Sequence, residues 1–232
     1  MCGPWHNNNT SSVIIEEGVT SIGKNAFYNC INLTSISIAK SVSIIEERAF
    51  LGCENLKSII LPEKITTIST CMFGICTSLC SLTFLGDINI IKEAAFYNCL
   101  SLKTITIPEK VKEIPVELFY CCKNLISINL PKNLTSIKHR AFKNCLSLKE
   151  ITIPEKVTYI PFELFCGCIN LSSIILLGNI TSIDQGAFKK CKSLISISLP
   201  DTITSIDKSA FYKCTSLISI NIPKKLTNTS YR

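Results

Sequence analysis

This 232-residue chain contains fourteen cysteines, and their regular spacing makes them the first candidates for a reactive or metal-binding site. Nine of the fourteen cysteines recur every 23 residues, and each lies three residues after a phenylalanine, as Cys99 follows Phe96. Cysteines form disulfides, bind metals or act as nucleophiles, but reactive thiolates lie at exposed, electropositive sites. A column of cysteines at one repeat position instead predicts buried, reduced and inert thiols that pack as small hydrophobic side chains.

We name this recurring pair the Phe–Cys column. Its members are Phe27 and Cys30, Phe50 and Cys53, Phe73 and Cys76, Phe96 and Cys99, Phe119 and Cys122, Phe142 and Cys145, Phe165 and Cys168, Phe188 and Cys191, and Phe211 and Cys214. Adjacent repeats of a stacked sheet lie ~4.7–4.9 Å apart, but parallel side chains would not aim their sulfurs at each other. The other five cysteines form no C-x-x-C pair: Cys2, Cys71, Cys80, Cys121 and Cys166.

The remaining titratable residues form no catalytic constellation. His6 lies in a polar N-terminal stretch and His139 on a predicted loop, whereas acid–base catalysis needs partners at set geometry. Three glutamates follow strand prolines, and each is separated from the next by two repeats, or ~10 Å. This separation is typical of a solvated charged edge. The three glutamates are Glu63, Glu109 and Glu155. We therefore predict no enzyme activity, no cofactor and no metal site.

The 23-residue period also predicts the secondary structure around the column. A repeat that cannot bury its apolar face alone stacks on its neighbours into one continuous core. Leu102-x-x-Ile105-x-Ile107 alternates as a strand does, and Pro108 then ends the strand. A second apolar pair predicts a short extended return, and the Ala-Phe-x-x-Cys segment predicts a short helical or 3₁₀ turn.

The fold class that follows is a mostly β, or α/β, solenoid of 23-residue repeats. Each repeat contributes one strand of a parallel sheet, a return and a turn. Residues 1–11 are predicted to be a disordered polar lead-in, residues 12–227 a solenoid of one half repeat and nine full repeats, and residues 228–232 a tail.

One combination of motifs resembles a known family. Ile107-Pro108-Glu109-Lys110-Val111-x-x-Ile114 is followed by Leu118-Phe119-x-x-Cys122-x-x-Leu125-x-x-Ile128-x-Leu130-Pro131. This pattern, over residues 12–227, is similar to the BspA-like, Treponema pallidum-type leucine-rich repeats. The resemblance implies a curved, right-handed solenoid without enzyme activity. Proteins of this family are often cell-surface or secreted binding proteins of bacteria and parasitic protists.

The outward side of the strands is the predicted working surface, on the concave face. Alternation turns small hydroxylated residues outward, together with a few isoleucines. The candidate protein-binding residues are Ser58, Ile60, Ser81, Thr83, Thr104, Thr106, Ser127, Asn129, Glu150, Thr152, Ser173, Ile175, Ile195, Ser196, Ser198 and Ile218. Exposed apolar residues mark interaction sites, but Ser and Thr also simply suit solvated strands.

Charge is concentrated near the C-terminus. Residues 187–232 hold eight basic and two acidic side chains, against a net charge of +7 for the chain. Lys189, Lys190, Lys192 and Lys213 form a basic cluster that fits an acidic partner, an anionic membrane surface or a solvated edge. Nucleic acid is disfavoured because no aromatic residues alternate with these lysines as a stacking platform would require.

These patterns predict a nonenzymatic protein that binds another macromolecule, foremost a protein, through its concave sheet. The family resemblance favours a surface or adhesin-type recognition protein at the cell surface. The N-terminus has neither a basic start nor an apolar h-region, which with many free thiols favours an intracellular, cytoplasmic interaction scaffold. No polar cap follows the last repeat, so the open ends also allow an oligomer.

Overall fold

The computed structural model describes residues 9–229, which form a parallel β-solenoid with a spacing of 23 residues between repeats. Most of the predicted disordered lead-in, residues 1–8, lies outside the described residues. So do residues 230–232 of the predicted tail. Twenty short strands, β1 to β20 in chain order, alternate between two ladders.

The odd-numbered strands form the strand ladder, which carries the predicted working surface. They are β1 Ser12–Ile15, β3 Ser35–Ile38, β5 Ser58–Leu61, β7 Ser81–Phe84, β9 Thr104–Thr106, β11 Ser127–Asn129, β13 Glu150–Ile153, β15 Ser173–Leu176, β17 Ser196–Ile197 and β19 Ser219–Ile220. They pair in parallel, as Glu150 with Ser173 and Ile151 with Ile174. Since Ile151 is buried and Thr152 exposed, a one-residue slip would turn the apolar face to water. The predicted parallel sheet is confirmed.

The even-numbered strands form the return ladder, and each is only two residues long. They are β2 Ser21–Ile22, β4 Ile44–Ile45, β6 Thr67–Ile68, β8 Ile90–Ile91, β10 Glu113–Ile114, β12 Ser136–Ile137, β14 Tyr159–Ile160, β16 Ser182–Ile183, β18 Ser205–Ile206 and β20 Asn228–Thr229. Their second residue is an inward isoleucine in all but β20. β20 pairs with β18 in register, so this ladder extends two residues into the segment predicted as a tail.

The turn that carries the Phe–Cys column is not helical, so the predicted helical or 3₁₀ turn is wrong. No residue of 9–229 is helical. Around Phe96 the N–H groups of Ala94, Phe96 and Asn98 instead donate to carbonyls of the next repeat, at 2.9, 3.1 and 2.8 Å. Ala94 and Asn98 have φ of 52° and 56°, and this left-handed backbone turns every second N–H toward the neighbouring repeat. The turns thus form a third inter-repeat ladder.

The Phe–Cys column packs as predicted, buried and unpaired over most of its length. Neighbouring phenylalanine rings are nearly parallel, with centroids 5.2–5.7 Å apart. Each column thiol from Cys53 onward donates a hydrogen bond across the stack, as Cys145 Sγ does to the carbonyl of Phe119 at 3.2 Å. Only at the last repeat are Phe211 and Cys214 partly exposed. Cysteine therefore combines apolar packing with a donor that links successive repeats.

Ring spacing bears on the predicted curvature of the stack. For nearly parallel rings, the centroid separation of 5.2–5.7 Å measures the displacement between repeats at the column. Paired strands lie only ~4.7–4.9 Å apart. A stack that is wider at the turns than at the strands curves toward the strands, so the concave outward side of the strand ladder stays a prediction. In the described residues there is no helix of the length and hydropathy that a membrane crossing requires.

Candidate binding surface on the strand ladder

The predicted surface residues lie where alternation along the strands placed them. All sixteen are exposed except Ser127, which is partly exposed. They form two outward columns, one through Ser58, Ser81 and Thr104 and the other through Ile60, Thr83 and Thr106. Ile195 and Ile218 lie beside these columns, at the edge where the strands begin. Parallel register therefore brings residues from successive repeats into one continuous surface, the strand face.

A groove crosses the middle of the strand face. It consists of two depressions, of about 530 and 500 Å³, that share Ser127 and Asn129. The first reaches Ile175 and Leu177 in the later repeats, and the second reaches Leu82 and Phe84 in the earlier ones. Apolar side chains thus lie at both ends of the groove, with hydroxyl and amide groups between them.

Sequence alternation did not find Leu177, which is exposed and lines one end of the groove. It follows the strand at a position where several repeats carry proline, as at Pro154. The next residue, Gly178, approaches the carbonyls of Glu155 and Val157 so closely that a Cβ would collide with both. The Leu-Gly sequence was the available signal, because glycine in such a place marks a close backbone approach.

The groove carries few charges. Glu150 projects from β13 among hydroxyl groups, while Lys132 and Glu155 lie along the strand ends. A binding partner therefore meets mainly neutral hydrogen-bonding groups and apolar side chains on the strand face.

The cysteines of the column are protected from chemistry by burial. Burial raises the pKa of the Cys76 thiol to about 12 and holds the pKa of the Cys99 thiol well above its ordinary value. A thiol that stays protonated is a poor nucleophile and metal ligand. Among the described residues, none of the His, Cys, Asp and Glu side chains group in threes that could hold a metal ion. His139 and the three strand-end glutamates are exposed, and His6 lies outside the described residues.

In the folded chain, the basic cluster contains an aromatic ring as well as lysines. The ammonium groups of Lys189 and Lys213 lie 5.6 and 5.3 Å from the ring centroid of Tyr212. The repeat places Tyr212 beside Lys189, 23 residues earlier, so one aromatic ring lies among these lysines although no alternating series of aromatic residues does. We name this surface the basic edge; its residues are Lys189, Lys190, Lys192, Ile195, Tyr212, Lys213 and Ile218.

Comparison with known proteins agrees with this architecture. The family model described as BspA type leucine rich repeat region, in 6 copies, matches residues 5–126 and 112–232. A leucine rich cell surface protein from Faecalibacterium prausnitzii is 27% identical with a TM-score of 0.51, and the match covers 95% of this chain and 74% of that one. No protein with a curated description matches the chain.

Two further solved structures share the fold. A leucine-rich repeat protein from Bacteroides ovatus is 26% identical, with a TM-score of 0.50 and coverage of 93% of this chain and 82% of that one. The leucine rich repeat protein of T. pallidum is 22% identical, with a TM-score of 0.57 and coverage of 90% and 79%. With the 23-residue period and the Phe–Cys column, the match over nearly the whole chain shows that this protein belongs to the BspA-type leucine-rich-repeat family.

Proposed function

We propose that this chain is a nonenzymatic binding protein that holds another protein against its strand face. The observation that supports this most directly is the groove. It combines apolar residues at both ends, exposed at Ile175 and Leu177 and only partly exposed at Leu82 and Phe84, with hydrogen-bonding groups between them. Protein interfaces combine apolar contacts with hydrogen bonds, and the groove offers both kinds of contact.

The dimensions of the groove fit a short extended segment of polypeptide. It runs across five strands, β7 to β15, which at the usual strand spacing is about 19 Å. An extended chain advances ~3.3 Å per residue, so roughly six residues would fill it. Apolar side chains at both ends of such a segment would contact Leu82 and Phe84 at one end and Ile175 and Leu177 at the other. Its backbone groups would face Thr106, Asn129 and Thr152.

Recognition at a cell surface is the setting we favour. A relative of 27% identity is described as a leucine rich cell surface protein, which supports surface or adhesin-type binding. An intracellular interaction scaffold is the second candidate, because all thirteen described cysteines are unpaired and Cys80 is exposed, as suits a reducing compartment. Antibody labelling of intact source cells separates the two settings, since only a surface protein is labelled without permeabilisation.

The binding surface is tested by matched substitutions on the two ladders. The double variant Ile175→Glu and Leu177→Glu places charge in the groove, whereas Ile44→Glu and Ile90→Glu places it on the return ladder. The matched isoleucines have similar exposure, 52% for Ile175 and 50% for Ile90. Immobilised wild type and the return-ladder variant should capture the same proteins from an extract, and the groove variant should lose them. Prior digestion of the extract with a protease should abolish capture.

Equal capture by the groove variant and the wild type would contradict the proposal, provided that circular dichroism shows both to be folded. Ile195→Glu and Ile218→Glu extend the test to the edge where the strands begin. Loss of capture in that variant alone would move the protein-binding site from the groove to that edge.

A further inference from the structure

The basic edge lies on the eighth and ninth repeats, apart from the groove. Its lysines, Lys189, Lys190, Lys192 and Lys213, take part in none of the ion pairs found among residues 9–229. The sequence has no acidic residue in 185–200 or in 208–232. Asp184, Asp201 and Asp207 flank these ranges but form no ion pair with the four lysines, so each of the four ammonium groups lacks a carboxylate partner among residues 9–229.

The carboxylate on the neighbouring turn is already engaged. Glu163 lies beside Gly186 and accepts from Lys143 Nζ at 2.7 Å and from Arg140 Nε at 3.0 Å. Two cations hold this side chain, so it offers little compensation to Lys189 and Lys190. Some lysines elsewhere, such as Lys110 and Lys138, pair with a carboxylate, whereas others, such as Lys64, form no ion pair within the described residues either.

Apolar side chains are exposed on the same edge. Ile218 is 85% exposed and Ile195 is 53% exposed. They occupy the same position in adjacent repeats, where the Ile218 N–H donates to the carbonyl of Ile195 at 2.9 Å. Tyr212 is also exposed and is flanked by two lysine ammonium groups. The edge thus combines uncompensated cations with an apolar pair and an amphipathic ring.

From this combination we propose that the basic edge binds the surface of an anionic lipid bilayer. The lysines contact lipid phosphates and carboxylates, while Ile195 and Ile218 enter the boundary between headgroups and acyl chains. Tyrosine is enriched at that boundary because its ring is apolar and its hydroxyl polar. This site is separate from the groove and does not depend on it.

A lipid surface fits the edge better than nucleic acid or an acidic protein. The ring of Tyr212 is engaged by Lys189 and Lys213, whereas stacking of a base requires an open aromatic face. A phosphate backbone also offers no apolar layer for Ile195 and Ile218. An anionic bilayer supplies the negative charge and the apolar layer together.

The test is sedimentation of the full chain with lipid vesicles. We expect binding to phosphatidylcholine vesicles that contain phosphatidylserine, and little binding to phosphatidylcholine alone. Replacing Lys189, Lys190, Lys192 and Lys213 with Gln should weaken binding by about fivefold per lysine, since each lysine near an anionic surface contributes a roughly constant increment. The matched control replaces four exposed lysines of the earlier repeats that occupy other repeat positions, Lys40, Lys64, Lys92 and Lys112, with Gln and should retain most binding.

A second variant tests the apolar part of the proposal. Ile195→Ser with Ile218→Ser preserves the charge and should also weaken vesicle binding, which simple charge attraction would not produce. Full binding by this variant, or equal loss in the two lysine variants, would overturn the proposal. Tighter, competing binding of duplex DNA or polyglutamate at the same edge would likewise overturn it in favour of that partner.

Discussion

Replacement of a central phenylalanine by alanine should destabilise the solenoid more than the same change at its first repeat. Phe119 is fully buried, and its ring lies 5.6 Å from the ring of Phe96 and 5.7 Å from that of Phe142. Phe→Ala in a core costs ~3–5 kcal/mol, and each ring pair contributes ~0.5–1.5 kcal/mol beyond area burial. Phe119→Ala loses two such pairs.

Phe27 is the matched position because it is buried but has a single stacked neighbour, Phe50, at 5.4 Å. Phe27→Ala should therefore cost about 0.5–1.5 kcal/mol less than Phe119→Ala. Its loss also falls on a terminal repeat, which in a stack of nearest-neighbour contacts unfolds without the others.

Guanidinium-induced unfolding, followed by far-UV circular dichroism, measures both changes. The midpoint should fall most for Phe119→Ala and least for Phe27→Ala. Phe119→Leu is the control, because it keeps most of the apolar volume and removes only the ring contacts. Equal losses at Phe119 and Phe27, or a loss below about 1 kcal/mol at Phe119, would refute nearest-neighbour stacking of the column.

Three further predictions follow from the turns and the thiols. Gly167→Ala should lower the free energy of unfolding by about 1–3 kcal/mol, because φ at this residue is 81° and the added Cβ would collide with Asn144 Oδ1. Gly23→Ala should be nearly neutral in the same denaturation assay, because no described atom beyond its two chain neighbours lies within 4 Å of the added Cβ. Iodoacetamide at mildly alkaline pH should label exposed Cys80 in the native protein and spare buried Cys76, as mass spectrometry of peptides would show. Burial raises the pKa of the column thiols above the unfolded value of ~8.5. The contribution of these thiols to the free energy of unfolding should therefore be complete below that pH and fall as the pH rises past it, by up to about 1.4 kcal/mol per thiol per pH unit. Equal denaturation midpoints at pH 8 and pH 10 would contradict this.

The sequence was sufficient to predict the stack because its period fixes which residues meet. An interval of 23 residues pairs each strand with the next, and alternation then separates inward Ile151 from outward Thr152. These patterns were enough to predict which residues form the strand face, the return and the buried column.

The turn conformation was mispredicted because apolar spacing alone could not distinguish two structures. Phe96 and Cys99 point inward both in a helical turn and in the observed chain of i→i+3 bonds, where Cys99 N donates to the carbonyl of Phe96 at 3.2 Å. The distinguishing signal was the recurrence of Gly and Asn two residues before or after the phenylalanine, where left-handed backbone is needed. These residues are Asn25, Asn29, Gly52, Asn98, Asn144, Gly167 and Gly186.

The groove and the basic edge depend on contacts between repeats that no single segment contains. The thiol–carbonyl bonds join residues 26 positions apart, as Cys145 to Phe119, and the ring of Tyr212 meets Lys189 from the preceding repeat. Groove depth depends on the side chains of five strands and on the close approach at Gly178. Such features follow from three-dimensional packing, whereas the period predicts only which residues are neighbours.

Site-specific photo-crosslinking tests most directly the claim that this solenoid binds protein through its strand face. One photoreactive residue is placed at Thr152, in the groove, and in a separate chain at Ile90, which is also exposed but lies on the return ladder. The proposed function predicts that partner protein is crosslinked from position 152 and not from position 90. Crosslinking from position 90 alone, or equally from both, would contradict it.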